Sequence, residues 1–397
     1  MEGDFIKINR KLLPLSWFYG LGVGVRNFLF DIGVLKSRAF DVPVIAVGNI
    51  TVGGTGKTPH VEYLIRLLQD RVKVAVLSRG YKRKTSGFVL SDANSTARDI
   101  GDEPCQMKQK FPAITIAVDA KRVRGIQRLT DADKQLDVVL LDDAFQHRYV
   151  KPGINILLVD YHRLLIYDKL LPAGRLREPV KGKNRADIVI ITKCPKGLKP
   201  IEFRVITKAM ALFPYQHLFF TTLAYDTPQP LFPQEAAPVP SAAKDDGAAP
   251  TIDGHVLLLT GIASPRQVQE DLADIAPGFT TLTFPDHHNF SKKDVERINS
   301  TFADMPAPKC IITTEKDAAR LTVTDGLSSD VRRHLYVLPV HIRFMQEQQE
   351  QMFNDSIIGY IRSNSRNSIL VKNKDDHKPQ SNHRTANKPR TISFRDN

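Results

Sequence analysis

Six short apolar runs recur through the first half of the chain, VIAV (44 to 47), VAVL (74 to 77), ITIAV (114 to 118), VVLL (138 to 141), INILLV (154 to 159) and IVIIT (188 to 192), with stretches of helical periodicity between them. Runs this short, rich in β-branched residues and nearly free of polar interruption, are the pattern of strands buried on both faces. Sheets covered on both faces are mostly parallel ones with helices in their crossovers. The expected fold class is therefore α/β, a mostly parallel sheet flanked by helices.

A chain of 397 residues exceeds one ordinary core, and a second series of runs begins after a proline- and alanine-rich stretch. HVLLLT (255 to 260), FTTLTF (279 to 284), CIITT (310 to 314) and HLYVLPV (334 to 340) predict a second, smaller α/β domain. The expected divisions are an N-terminal helical region at 1–38, a first domain at 39–223 and a loop or linker at 224–252. A second domain follows at 253–362, then a polar, basic, disordered tail at 363–397.

The formal charge is +13, of which the tail carries a net +5. An excess of this size favours anionic partners, whether nucleic acid, a membrane face or a phosphorylated substrate, without choosing among them. Cys105, Cys194 and Cys310 lie far apart without CxxC spacing, which excludes a disulfide framework or a zinc site as the organising feature and fits a reducing cytosolic setting.

The segment 12 to 35 is apolar over the length of a membrane span but contains Arg26 and Asp31. A charge at mid-bilayer costs about 2.5 to 3.5 kcal/mol, which argues against a plain transmembrane helix. Lys7, Arg10 and Lys11 precede it and Trp17, Phe18 and Tyr19 open it, so it reads as an amphipathic, membrane-associated helix or as a helix packed on the domain.

The first of the six runs leads into GNITVGGTGKTP (48 to 59), a phosphate-binding loop that departs from the G-x-x-x-x-G-K-[ST] pattern at its first position, where Thr51 replaces glycine. A phosphate cradle needs backbone amides aimed inward at a helix N-terminus, and glycine where a Cβ would intrude. Gly53, Gly54 and Gly56 meet that need, with Thr51, Val52 and Thr55 completing the loop. Lys57 would reach the β and γ phosphates and Thr58 would place its hydroxyl on Mg²⁺. Thr51 is tolerable if its φ is negative, and Val52 separates the loop from the ATPases that carry lysine there. With the loop, the first domain is a P-loop-type sheet.

Such a loop works with an acid at a neighbouring strand end, and VVLLDDAFQHR (138 to 148) offers Asp142 for Mg²⁺ and Asp143 towards an acceptor. GDEP (101 to 104) supplies Asp102 and Glu103, and DHH (286 to 288) supplies His287 and His288. A carboxylate and an imidazole meeting across a cleft would make a proton acceptor. Basic runs at 78–84, 119–125 and 171–187 follow strand ends and would line the crevice used for ligands. Position 80, Arg122, Arg175 and Arg177 are the candidates for a substrate phosphate, and Glu178 for the metal shell.

Taken in order, GNITVGGTGKTP, SRGYKRK, GDEP, LLDDAFQHR, LPAGRLREP, GIASP, FPDHHNF and TTEKDAARL resemble the tetraacyldisaccharide 4′-kinases of lipid A biosynthesis over almost all of residues 12 to 345. That family usually has glycine where this chain has Ala144. The resemblance implies transfer of the γ-phosphoryl group of ATP, with Mg²⁺, to the 4′-hydroxyl of a tetraacylated glucosamine disaccharide 1-phosphate. It places the enzyme at the cytoplasmic face of the bacterial inner membrane. It also implies that Asp102 is the catalytic carboxylate, His287 its partner, Asp142 and Asp143 the strand-end acids and Glu178 a metal-linked glutamate. The expected partners are the lipid substrate and the membrane surface, with no nucleic acid and no second copy of the chain. A nucleotide-driven switch protein and a soluble small-molecule kinase are the alternatives that the residues alone leave open.

Overall fold

A computed structural model describes residues 6, 8–239, 241–242, 251–262, 265–276, 278–286 and 288–364. The expected tail beyond residue 364 lies outside the described residues, as does the middle of the 224–252 loop.

In chain order the P-loop unit runs α1 (Leu13–Asp31), β1 (Val44–Gly48), α2 (Lys57–Leu68), β2 (Val74–Ser78), β3 (Val89–Leu90), α3 (Ala97–Ile100) and α4 (Asp102–Lys110). It continues through β4 (Thr115–Val118), α5 (Arg122–Ala132), β5 (Val138–Asp142), β6 (Ile154–Asp160), β7 (Ile188–Thr192), α6 (Pro200–Met210) and β8 (His217–Tyr225). Every one of the six apolar runs is a strand, and the pairings among them are parallel.

Alternation along β1 explains why the runs look continuous. Ile45 and Val47 pack with α2 on one face, while Val44 and Ala46 pack with Ile126 and Leu129 of α5 on the other. From β1 the chain moves outward to β2 and β4, returns to insert β5 beside β1, then continues the other way through β6, β7 and β8. The carboxyl end of β1 is thus where the winding reverses, the place at which open α/β sheets take ligands.

The second sheet contains β9 (Gln229–Pro230), β12 (His255–Thr260), β13 (Phe279–Thr283), β14 (Lys309–Thr314) and β15 (Leu335–Leu338), ordered 13-12-14-15-9; the ribbon β10 (Ser241–Ala242) and β11 (Thr251–Ile252) stands apart. Helices α7 (Pro265–Ala273), α8 (Lys292–Ala303), α9 (Glu315–Leu321) and α10 (Ser329–His334) belong to this unit.

The expected second-domain boundary at 362 differs from the sheet topology. After β15, strand β16 (Val340–Phe344) pairs antiparallel with β8 of the first sheet. Helix α11 (Glu347–Asn364) then places Phe353, Ile357 and Ile361 in the first core. Pro339 separates the two strands, so HLYVLPV is one apolar run in sequence and serves two sheets in space. Proline lacks an amide donor and interrupts a ladder, which is what the change of sheet needs.

Candidate active site

The loop after β1 has two parts. Val52 N donates to Arg175 O and Arg177 N to Ile50 O, both at 2.8 Å, and Thr51 bridges Leu176. Thr51 and Val52 therefore sit in an antiparallel ladder ahead of the cradle, and Thr51 is not among the residues of positive φ. Its replacement of glycine carries no backbone strain.

The cradle proper begins at Gly53, with φ of 118°, and closes at Gly56, with φ of 77°, the left-handed residue that caps α2. Its carbonyls are turned into the protein. Gly56 O accepts from His60 Nδ1 at 2.7 Å, Thr55 O accepts from Thr192 Oγ1 at 3.0 Å, and Gly54 O accepts from Lys193 Nζ. Among the described residues no acceptor is bonded to the amides of 53 to 58. Carbonyls engaged behind the loop and amides unengaged at a helix N-terminus make an anion cradle.

His60 reaches Thr221 Oγ1 through Nε2 at 3.0 Å, and burial pushes its pKa down to about 4, so the ring is a neutral clamp behind the loop. Lys193 also pairs with Asp160 at 2.9 Å. Sequence reasoning missed His60, Thr192 and Lys193. The only signal available for the last two was a polar pair ending the IVIIT run.

Lys57 Nζ stands 3.6 Å from Asp143 Oδ1, and Arg177 Nη1 lies 3.6 Å from the other oxygen. Asp143 adopts φ of 46°, and the strain falls there instead of on the buried Ala144 that follows. Asp142 is fully buried. Ser78 Oγ donates to its Oδ2 at 3.0 Å, while its Oδ1 has no partner. Burial first, then the charges of Glu103 and Asp143, raise its pKa to about 7 against the pull of Lys57.

An orphaned carboxylate oxygen at the end of the strand paired with β1 suits a hard divalent cation with oxygen ligands. No cluster of three or more His, Cys, Asp or Glu side chains among the described residues forms a ready-made metal cage.

Glu178, with 3% exposure, accepts from Arg185 Nη2 at 2.8 and 3.0 Å and lies 3.4 Å from Asn27 of α1. Its charge is thus already matched.

Position 80 is Gly80; of the two arginines in the SRGYKRK run, Arg79 lines the cleft, while Arg83 donates to the Gly87 carbonyl. Arg79, Arg175 and Arg177 line a solvent-open cleft of about 1090 Å³ that also contains residues 52 to 59, Glu103 and Asp143. Arg122 is placed elsewhere: 2% exposed, it donates to the carbonyls of Asp119 and Asp142 and braces the strand end from behind. Burial first, then the charges of Arg122, Arg26 and Arg79, push the His147 pKa down to about 4.

From the second unit come Asp286, Thr314, Glu315 and Lys316, and from α1 come Tyr19, Val23 and Arg26. Asp102 opens α4, and its Oδ2 accepts from Arg320 of α9 at 3.0 Å. His287 lies outside the described residues. Its neighbour His288 stacks on Phe284 and bonds Asp294 at 2.9 Å, which fixes it inside the second unit.

Helix α1 docks through Ser16 on Leu170 O at 2.9 Å and through Tyr19 OH on Arg177 O at 2.8 Å. The two charges that argued against a membrane span are part of the docking: Arg26 donates to Gln146 O at 3.2 Å and Asp31 pairs with Arg148 at 2.6 Å. No described helix is long and apolar enough to cross a membrane.

The family model for LpxK, tetraacyldisaccharide-1-P 4′-kinase, matches residues 8–358. A tetraacyldisaccharide 4′-kinase of Phocaeicola vulgatus is 55% identical over 372 residues, covering 93% of this chain and 99% of the relative. One of Bacteroides thetaiotaomicron is 52% identical over 95% of this chain and 100% of its own length. A crystal structure of LpxK from Aquifex aeolicus in complex with ATP superposes with a TM-score of 0.66 at 28% identity, covering 89% of this chain and 99% of that one. The motif order, the P-loop sheet and a match of this extent lead to one conclusion: the chain belongs to the LpxK family of tetraacyldisaccharide-1-P 4′-kinases.

Proposed function

We infer that this chain is an ATP-dependent lipid kinase of lipid A biosynthesis. It transfers the γ-phosphoryl group of ATP to the 4′-hydroxyl of a tetraacylated glucosamine disaccharide 1-phosphate. In a chain of this family, one observation carries the reading: the cradle, the strand-end Asp143 and the side chains of Arg79, Arg175 and Arg177 share a single cleft.

In this reading the amides of Gly53 to Thr58 and Lys57 hold the β and γ phosphates, and Thr58 and Asp142 hold Mg²⁺. The cation, when bound, neutralises charge on the phosphate oxygens. Asp143 orients Lys57 and Arg177, and Glu178, paired with Arg185, anchors the loop that carries Arg175 and Arg177. Arg79, Arg175 and Arg177 face the acceptor's phosphate. Asp102, with His287, takes the 4′-hydroxyl proton as the new O–P bond forms and the bond to the β-phosphate oxygen breaks, releasing ADP. Phosphoryl transfer asks mainly for positioning and charge neutralisation, and a cleft between two units can exclude water from the γ-phosphate.

The acceptor is a lipid, and α1 supplies a surface for meeting it. Trp17 and Phe18 are 74% and 67% exposed, with Leu21, Val25 and Phe28 also exposed. Yet Tyr19, Val23 and Arg26 on the same helix line the cleft. A helix that joins bilayer to active site supports peripheral attachment at the cytoplasmic face of the inner membrane.

The test is incubation of the purified protein with ATP, Mg²⁺ and the disaccharide 1-phosphate in detergent micelles, followed by mass analysis of the lipid. A bisphosphorylated product that disappears on chelation of Mg²⁺ is expected. ATP turnover without a phosphorylated lipid would contradict the reading.

A further inference from the structure

Helix α4, whose first residue is Asp102, lies against α9 of the second unit, and charged side chains join the two at both ends. At the far end Lys110 Nζ spans Glu62 of α2 and Glu315 of α9 at 2.6 Å each. At the near end Arg320 bridges the units, with Nη2 3.0 Å from Asp102 Oδ2 and Nη1 3.2 Å from Asp317 Oδ1.

Asp317 is fully buried. Its Oδ2 accepts from the Gly261 amide at 2.8 Å and the Thr314 hydroxyl at 2.7 Å. A Cβ at Gly261 would stand 2.9 Å from Asp317 Oδ1, so the backbone approaches this carboxylate as closely as glycine permits. Arg320, 7% exposed, is therefore held by a carboxylate that is itself fixed to the ends of two strands. The cleft-lining residues include Glu103 but none of Asp102, Asp317 and Arg320.

We propose that Arg320 is a positioning residue for phosphoryl transfer, fixing the Asp102 carboxylate from the second unit so that removal of the acceptor's proton depends on the docked arrangement of the two units. The proposal rests on the reading of Asp102 as the proton acceptor. A forked guanidinium shared between two carboxylates sets orientation as well as charge, which a point charge would not do. Misplacement of a reacting group by about 1 Å can cost roughly a hundredfold in rate. Lys110 ties α4 to α9 independently of Arg320.

The experiment compares kcat, KM for ATP and melting temperature for full-length Arg320→Gln, Arg320→Lys, Asp102→Ala and the Asp102→Ala/Arg320→Gln pair. Arg320→Gln should lower kcat by about a hundredfold with KM for ATP unchanged. Arg320→Lys should recover part of that loss, and the double variant should be no slower than Asp102→Ala alone. Should Arg320→Gln not fold, Asp317→Asn, which loosens the anchor and leaves the guanidinium beside Asp102, should lower kcat in the same sense. Wild-type kcat in Arg320→Gln with an inactive Asp102→Ala would overturn the positioning role and leave the proton acceptor in place. A further loss in the double variant would also overturn it. Wild-type kcat in Asp102→Ala would instead remove the proton acceptor on which the proposal rests.

Discussion

Asp142 shows most clearly how the site trades stability for chemistry. Its carboxyl is buried with one oxygen unpaired, and its pKa is raised to about 7. A raised carboxyl pKa means that the folded state binds the proton more tightly than the unfolded state. Its contribution is fully present below about pH 4 and is lost as pH rises through 7. Asp142→Asn removes that liability, so its melting temperature should exceed the wild-type value at pH 8, with the gap closing towards pH 5, while turnover falls. Thermal melts across this range check it; a variant that melts lower at pH 8 would show that the charge is well accommodated. The residues of the cradle were legible in sequence because a loop motif is local. His60, Thr192 and Lys193 were not, because they reach the loop's carbonyls from a helix turn and a distant strand end.

The strands legible in sequence as continuous apolar runs are those buried on both faces, as in β1 and β5, where every residue is buried. The switch at Pro339 escaped such reading, because an apolar run is the same in either sheet until pairing is known. Helix α11 gives this a measurable consequence. Ending the chain after Leu338 would remove β16 and uncover the core beneath Phe353, Ile357 and Ile361. Losing three such side chains at about 1.5 to 3 kcal/mol each approaches the whole stability of a domain. The truncated chain should fail to fold, and a soluble, cooperatively melting product would contradict this packing.

Helix α1 makes the opposite prediction. Trp17→Ser with Phe18→Ser alters exposed side chains, so melting should be nearly unchanged while sedimentation with anionic lipid vesicles drops. Undiminished sedimentation would mean that another surface meets the bilayer.

At the scale of the molecule, charged side chains join the two units, Lys110 to Glu315 and Arg320 to Asp102. Glu62 is 1% exposed and its pKa is raised to about 7, by burial first and then by Glu315, against the opposing pull of Lys110. Lys110→Met would leave two carboxylates facing each other. Losing one partner of a buried pair costs about 3 to 5 kcal/mol. Since Glu62 charges more fully as pH rises towards and past 7, the loss in melting temperature should grow from pH 5.5 to pH 8. A loss independent of pH would point to lost packing instead. The docking that this pair supports could not be read from sequence, where Glu62, Lys110 and Glu315 stand far apart with no motif in common.

The claim on which everything else depends is that the loop ending in Lys57 delivers the γ-phosphoryl group to a lipid acceptor in the same cleft. Transfer of label from γ-labelled ATP to the disaccharide 1-phosphate, compared between the wild-type chain and Lys57→Ala, tests it most directly. The account predicts a labelled bisphosphorylated lipid with the wild type and almost none with the variant. Equal labelling by both would contradict it.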